Sequence, residues 1–263
     1  MITGNCTVGP TACVAFGPLL RARLIERENR FRVRVCLGQD RVSAHIANPG
    51  RLEELLTSGR TVWMTPASGL GRKTPYSLTL VDIGDELVSM DSHLPNLLVT
   101  QALTRGLLPS LEEFRQLQRE VALGHSRLDF RLTDDDGQAC WVEVKSVTLV
   151  EAGIARFPDA PTIRGRRHLQ ELIAAVEAGD RAEVIFIVQR SDARQFSPNA
   201  ATDPSFADAL RSAARAGVGV RALRCSVTRE RICLQDEIPV SLDAPAATAI
   251  IPPSQWTEEQ PIG

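Results

Sequence analysis

Three ionisable residues stand inside segments that otherwise read as buried: Asp129 in "RLDFRL", and Glu143 and Lys145 in "WVEVKS". The acidic turn "TDDDGQ" separates the two segments, and its Gly137 can take the positive φ that tight turns need. A hairpin here would bring the three groups together. Period two puts Glu143 and Lys145 on one face of their strand, with Val142 and Val144 on the opposite, core-directed face. Glu120, from the segment before, is placed to lie nearby. Carboxylates in contact raise one another's pKa, and a divalent cation removes that conflict. Oxygen ligands suit magnesium or manganese rather than zinc. Such a cation polarises a phosphoryl oxygen, and a neighbouring lysine can orient water or stabilise developing charge. That is the chemistry of phosphodiester hydrolysis. The same spacing also fits a plainer arrangement, with Glu143 and Lys145 as an edge-strand ion pair and Asp129 as a turn cap.

The elements that would position these groups fall into two sets. Up to Met90 the pattern is short strands and turns. "FRVRVCL" alternates strictly, "VSAHI" returns from a hairpin turn, and "TVWMTP", "YSLTLVDI" and "ELVSM" follow. "RLEELL" reads as one or two helical turns. Several short strands around one short helix predict a small closed barrel of OB type. After Asp91 the composition changes. "LPNLLVTQALTRG" predicts a helix, "LEEFRQLQ" a second helical piece, and "REVAL", "RLDFRL" and "CWVEVKSVTLV" three strands. Leu169, Leu172, Ile173 and Val176 follow helical spacing, and Gly179 is placed to end that helix. "AEVIFIVQ" reads as a strand covered on both faces. Asp203 and Pro204 open a further helix as cap and first residue, and "VGVRALRCSV" returns as a strand. The second half is therefore a mixed α/β sheet with helices on its faces. The expected organisation is a barrel domain over 17–93 and an α/β domain over 94–244, with flexible ends at 1–16 and 245–263.

A length of 263 residues allows one large domain or two ordinary ones. The net charge of −2 means that any polyanion must meet a local patch rather than a global basic excess. The six cysteines form no CxxC pair and no zinc knuckle, so they are expected to be free thiols in a reducing compartment. The N-terminus lacks the build of a signal peptide, and no apolar run is long enough to span a bilayer. The expected location is the cytoplasm. No Ser-His-Asp arrangement is suggested, and His45 and His125 read as structural residues rather than ligands.

Two local basic regions stand out. The first holds Arg21, Arg23, Arg30, Arg32, Arg34 and Arg51, with Arg27 and Arg41 among them and only Glu26, Glu28 and Asp40 in opposition. On a barrel surface this would be a phosphate-facing stripe, and arginine favours bidentate phosphate contacts. The second is "RGRRH", where Arg164, Arg166, Arg167 and His168 crowd the first turn of a helix. Cations there oppose the helix dipole, and a bound phosphate would relieve the conflict. Arg72 and Lys73 can add to either patch, and Arg127 adjoins the carboxylates. The competing reading of both regions is ordinary ion pairing.

The chain resembles the sugar fermentation stimulation protein A family, and its second half looks like the PD-(D/E)XK nuclease-like fold. The matching stretches are "RLIERENRFRVRV", "AHIANPGRLEELL", "RKTPYSL", "GHSRLDF", "VEVKSVTL", "FPDAPTIRGRRHLQEL" and "FSPNAATDP". The resemblance implies an OB-like domain followed by a nuclease-like one, and a DNA-binding protein linked to sugar (maltose) metabolism. It matches Asp129, Glu143 and Lys145 to the active-site pattern and Glu120 to the upstream acid of the metal set. An active magnesium- or manganese-dependent nuclease on DNA or RNA is the alternative it carries. One departure is Pro49 in Asn48-Pro49-Gly50, where a threonine is the family pattern.

Overall fold

The computed structural model of the chain describes residues 11–67 and 73–243. Chain order begins with a short strand, β1 (Cys13–Ala15), and continues with β2 (Leu20–Asn29), β3 (Arg32–Leu37), β4 (Asp40–His45), β5 (Thr61–Pro66), β6 (Tyr76–Asp82) and β7 (Leu87–Ser89). Strands β2 to β7 form one sheet in the order β4-β3-β2-β5-β6-β7, and a parallel pairing of β4 with β6 closes five of them into a barrel. Alternation explains the closure. Ala22, Leu24, Val33, Val35, Val62 and Met64 point inward and are buried together, while the intervening arginines face out.

Helix α1 (Leu94–Thr104) links the barrel to the second sheet. That sheet contains β8 (Gln116–Leu123), β9 (Ser126–Thr133), β10 (Ala139–Val147), β13 (Arg181–Val188), β15 (Gly219–Val227) and β16 (Arg231–Ile238), in the order β1-β16-β15-β13-β10-β9-β8. Between these elements lie β11 (Val150–Glu151), β12 (Ile154–Phe157), α2 (Ile163–Glu177), β14 (Gln195–Pro198) and α3 (Pro204–Arg215). Helices α2 and α3 bury Leu169, Leu172, Phe206 and Leu210 on one face of the sheet. Helix α1 buries Leu98, Val99 and Ala102 on the other. The parallel strands β10, β13 and β15 are covered on both faces, which is why β13 is almost continuously apolar.

Several expectations change. Residues 11–16 were expected in a flexible end, but Cys13–Ala15 pairs antiparallel with β16. That register sets Cys13 opposite Cys233, and the two form a disulfide. Their separation of 220 residues left no trace in local sequence spacing, so the expectation of free thiols fails for this pair. Cys36, Cys140 and Cys225 are free, and Cys6 lies outside the described residues. "LEEFRQLQ" is not a helix: its Leu111 ends a 3-10 turn over Pro109–Leu111, and its last three residues open β8. Leu111 and Phe114 satisfy both a helical spacing and a turn that tucks two apolar side chains under the sheet. "RLEELL" contracts to a single turn, closed by Leu56 N–H donating to the Leu52 carbonyl at 2.9 Å. The small sheet β11-β12-β14 and the long strand β16 carry too little alternation to be read in advance.

Candidate metal and nucleic-acid site

The ladder on both sides of Asp129 is interrupted. Arg119 pairs with Phe130 and Val121 with Leu128, but Glu120 between them takes a left-handed φ of 56°. On the other edge, pairing with β10 reaches Val142 opposite Phe130 and goes no further. The strand changes phase here: Leu128 packs with α2 and α3, whereas Phe130 and Leu132 pack with α1. Asp129 takes over the hydrogen bonding that the ladder gives up. Its Oδ2 accepts the Val144 N–H at 2.8 Å, and its Oδ1 accepts the Asn96 side-chain amide at 2.7 Å.

Glu143 and Lys145 project from β10 toward α2, as period two requires. Glu143 is buried, and its Oε1 accepts from both Lys145 Nζ and His168 Nδ1 at 2.5 Å. Arg164 Nε donates to His168 Nε2 at 3.2 Å, so the imidazole carries its proton on Nδ1 and donates it to Glu143. Lys145 Nζ and His168 Nδ1, 3.4 Å apart, are then two donors sharing one acceptor rather than a bonded pair. Burial pushes the Asp129 carboxyl up to about 6, and the neighbouring Glu143 charge adds to the rise. Burial also raises Glu143, but the Lys145 charge and the His168 hydrogen bond outweigh it and hold that carboxyl below the usual range.

Asp129, Glu143 and Lys145 open on a cavity of about 320 Å³ at the seam between the barrel and the α/β domain. The barrel contributes Arg30 and Asn48 to Gly50, α1 contributes Asn96, and the loop before α2 contributes Pro158 to Thr162 with Arg164 beyond it. The seam is tight at Gly50, where a Cβ would collide with Asp159 Oδ2. Asp159 Oδ2 in turn accepts the Leu52 N–H at 3.4 Å, tying the loop before α2 to the barrel.

Do these residues fit a divalent cation? Three carboxylates line the cavity: Asp159, which accepts the Leu52 N–H, and the pair Asp129 and Glu143, whose charges conflict and of which the buried Glu143 Oε2 has no hydrogen-bond partner. Among the described residues no three His, Cys, Asp or Glu side chains form a ready-made cage. Magnesium is ordinarily held by one or two carboxylates, with phosphate and water completing its shell, so a two-carboxylate wall fits it.

The other expected residues divide sharply. Glu120 is exposed, has a positive φ, and lies 3.8 Å from Arg127 outside the cavity, so it does not join the carboxylate pair. Arg32 and Arg34 both converge on Glu28, the ordinary ion pairing that was the competing reading of the stripe. Arg23 bonds the Gly59 carbonyl, while Arg21 and Arg51 are exposed. Arg30 reaches the cavity, braced by the Pro49 carbonyl at 3.1 Å. Arg72 lies outside the described residues, and Lys73 is exposed at their edge. The second cluster splits four ways. Arg164 lines the cavity, Arg166 pairs with Asp203 at 2.9 Å, Arg167 is exposed and His168 is buried against Glu143. His168 is thus a partner of the carboxylate, not a surface phosphate contact. Asn96 and Asp159 were missed. Asn96 left one signal, an amide in the first turn of a helix beside the apolar stripe of Leu94, Leu98 and Val99.

An OB-like barrel seamed to a mixed α/β sheet with this acid-acid-lysine set defines a protein with an OB-like domain and a PD-(D/E)XK nuclease-like domain. Family models agree on both halves: the SfsA N-terminal OB domain matches residues 25–90, and the Sugar fermentation stimulation protein RE domain matches residues 93–231. The chain belongs to the sugar fermentation stimulation protein family. It is 46% identical over 228 residues to the sugar fermentation stimulation protein homolog of Moorella thermoacetica, covering 86% of this chain and 95% of that one. With the homolog of Chloroflexus aggregans it shares 42% over 252 residues, 94% of this chain and 96% of the other. The solved structure of Pyrococcus furiosus SfsA in complex with Ca2+ superposes with a TM-score of 0.81 at 33% identity, covering 89% of this chain and all of the other (100%).

Proposed function

We propose that the protein binds DNA at the domain seam, through its phosphates, and holds magnesium or manganese between Asp129 and Glu143. The observation that carries this is a single cavity onto which both carboxylates, Lys145, Arg30 and Arg164 all open. The Ca2+ bound by the Pyrococcus relative supports a cation in this fold. When bound, the cation supplies Lewis-acid polarisation of a phosphoryl oxygen. The chain's own residues do the rest. Arg30 and Arg164 are placed to grip phosphate oxygens, and Lys145, anchored on Glu143, points a positive charge at the same space. Asn96 and the Val144 N–H fix the Asp129 carboxylate, and His168 fixes Glu143. A DNA-binding role is compatible with the family's association with sugar metabolism, and a DNA partner supports the cytoplasm as the location.

A second reading is hydrolysis of the bound strand, of DNA or RNA. It is favoured by Lys145, whose ammonium sits 2.5 Å from a buried carboxylate where binding alone does not require it. Labelled DNA and RNA, single- and double-stranded, would be titrated with and without manganese, alongside Asp129→Ala. The expected result is salt-sensitive DNA binding that manganese tightens and that the variant loses by roughly tenfold or more. Equal binding with and without metal, in both proteins, would overturn the metal site. Metal-dependent strand cleavage abolished in Asp129→Ala would establish the enzyme.

A further inference from the structure

Among the described residues, the large hydrophobic side chains left exposed are Phe31, Leu97 and Ile163, at 46%, 40% and 74% of full accessibility. Single exposed apolar residues scattered over a surface need no explanation. These three share their elements with the seam cavity. Each is next in sequence to a residue lining the seam cavity, namely Arg30, Asn96 and Arg164. They also come from three separate elements: the turn between β2 and β3, helix α1, and the first residue of α2. The barrel side offers more than one flat group. The Arg30 guanidinium lies 5.5 Å from the Phe31 ring centre, and the His45 ring lies 6.3 Å from it with the planes 26° apart.

Exposed apolar and planar groups carried on the same turn and helix starts as the cavity's phosphate-binding residues are a specific chemical request. A paired duplex turns its base faces into its own stack and shows the protein phosphates, sugars and groove edges. It has no flat apolar face for Phe31 or Ile163 to cover. An unpaired strand has one on every nucleotide, and such bases stack on aromatic rings and arginine planes. The cavity volume of about 320 Å³ sits at the small end of ligand pockets and suits one nucleotide rather than a base pair with two backbones. Asn48 and Asp159 supply polar groups within it.

We propose that the seam takes an unpaired segment of DNA, its phosphates at Arg30, Arg164 and the Asp129–Glu143 pair and its bases laid on Phe31, Leu97 and Ile163. The proposal rests on the DNA-binding reading above. Fluorescence anisotropy in Ca2+ would compare a single strand, a blunt duplex of the same sequence, and that duplex with a short single-stranded gap. The single strand and the gapped duplex are expected to bind at least tenfold tighter than the blunt duplex. Phe31→Ala should weaken single-strand binding about tenfold, and Ile163→Ser should weaken it further in combination. Phe31→Trp should retain it. Residual duplex binding should not change, and the exposed positions leave thermal stability unchanged as the check on folding. Equal affinity for single strand and blunt duplex, or single-strand affinity untouched by Phe31→Ala with Ile163→Ser, would overturn the unpaired substrate and leave DNA binding standing. Binding to none of the three probes would overturn the DNA reading as well.

Discussion

Asp129 and Glu143 are both carboxylates, both largely buried and adjacent, yet their environments push them in opposite directions. Glu143 has the Lys145 cation and the His168 hydrogen bond, and stays ionised. Asp129 has only neutral donors in contact and is held near 6 by burial and by Glu143. The sign of its effect on stability follows. Its folded value lies above the ordinary 3.8, so the native state binds the extra proton between about 4 and 6 and is destabilised by ionisation above that window. Asp129→Asn should therefore be more stable than the parent at pH 8, by roughly 1–3 kcal/mol. The asparagine oxygen can still accept the Val144 N–H. The difference should shrink through pH 6 and vanish near pH 4, and Ca2+ should narrow it at pH 8 by stabilising only the parent. Chemical denaturation across that range measures it, and a variant less stable at pH 8 would refute it. The triad itself was legible because strand period and an acidic turn suffice to bring Asp129, Glu143 and Lys145 together. Glu120 stands apart from the pair: its φ of 56° interrupts the ladder and its carboxylate lies beside Arg127, neither of which its motif position shows.

Elements, not residues, decide what the arginine-rich helix start does. In sequence, Arg164, Arg166, Arg167 and His168 form one basic cluster. On α2 successive residues turn by about 100°, so the cluster is dealt out to a cavity, a buried aspartate, solvent and a buried glutamate. Helical phase against neighbours that are distant in sequence could not be read in advance. The aspartate is Asp203. It caps α3 by accepting the Phe206 N–H at 2.9 Å, accepts the Thr162 N–H at 2.8 Å where α2 begins, and pairs with Arg166. One side chain thus fixes the starts of two helices, and through α2 it fixes Arg164 and His168 in the site. Asp203→Asn keeps a capping oxygen for the Phe206 N–H but sets an amide nitrogen against the Thr162 N–H and Arg166, and should lose roughly 2 kcal/mol. Asp203→Ala loses the cap, leaves the Thr162 N–H and Arg166 without their acceptor, and should lose roughly 3–5 kcal/mol. Guanidinium midpoints of the two variants test this ranking, and equal losses would show that Asp203 acts as a charge alone.

At the scale of the molecule, the first and last strands among the described residues are part of the sheet that carries the site. β1 is the last strand of the seven-stranded sheet, bound to β16 by its ladder and by the Cys13–Cys233 disulfide. It also reaches α1: Gln101 accepts the Cys13 N–H at 3.0 Å, and Arg105 donates to the Thr11 carbonyl at 2.8 Å. Helix α1 in turn holds Asp129 through Asn96. The disulfide therefore staples a segment that packs Val14 and Phe16 on the core beneath α1. Local pattern could not have shown this, because three residues of strand have no periodicity and their partner lies at the far end of the sequence. Closing so long a loop removes a large part of the unfolded chain's freedom, which on chain-entropy grounds is worth up to about 5 kcal/mol. Dithiothreitol should lower the denaturation midpoint of the parent by a large part of that amount. Cys13→Ser should start at the reduced value and show no further response to the reductant. If the parent's midpoint were the same with and without reductant, while alkylation and peptide mapping showed the bridge opened, then pairing with β16 and packing under α1 would be what holds β1, with the crosslink adding nothing.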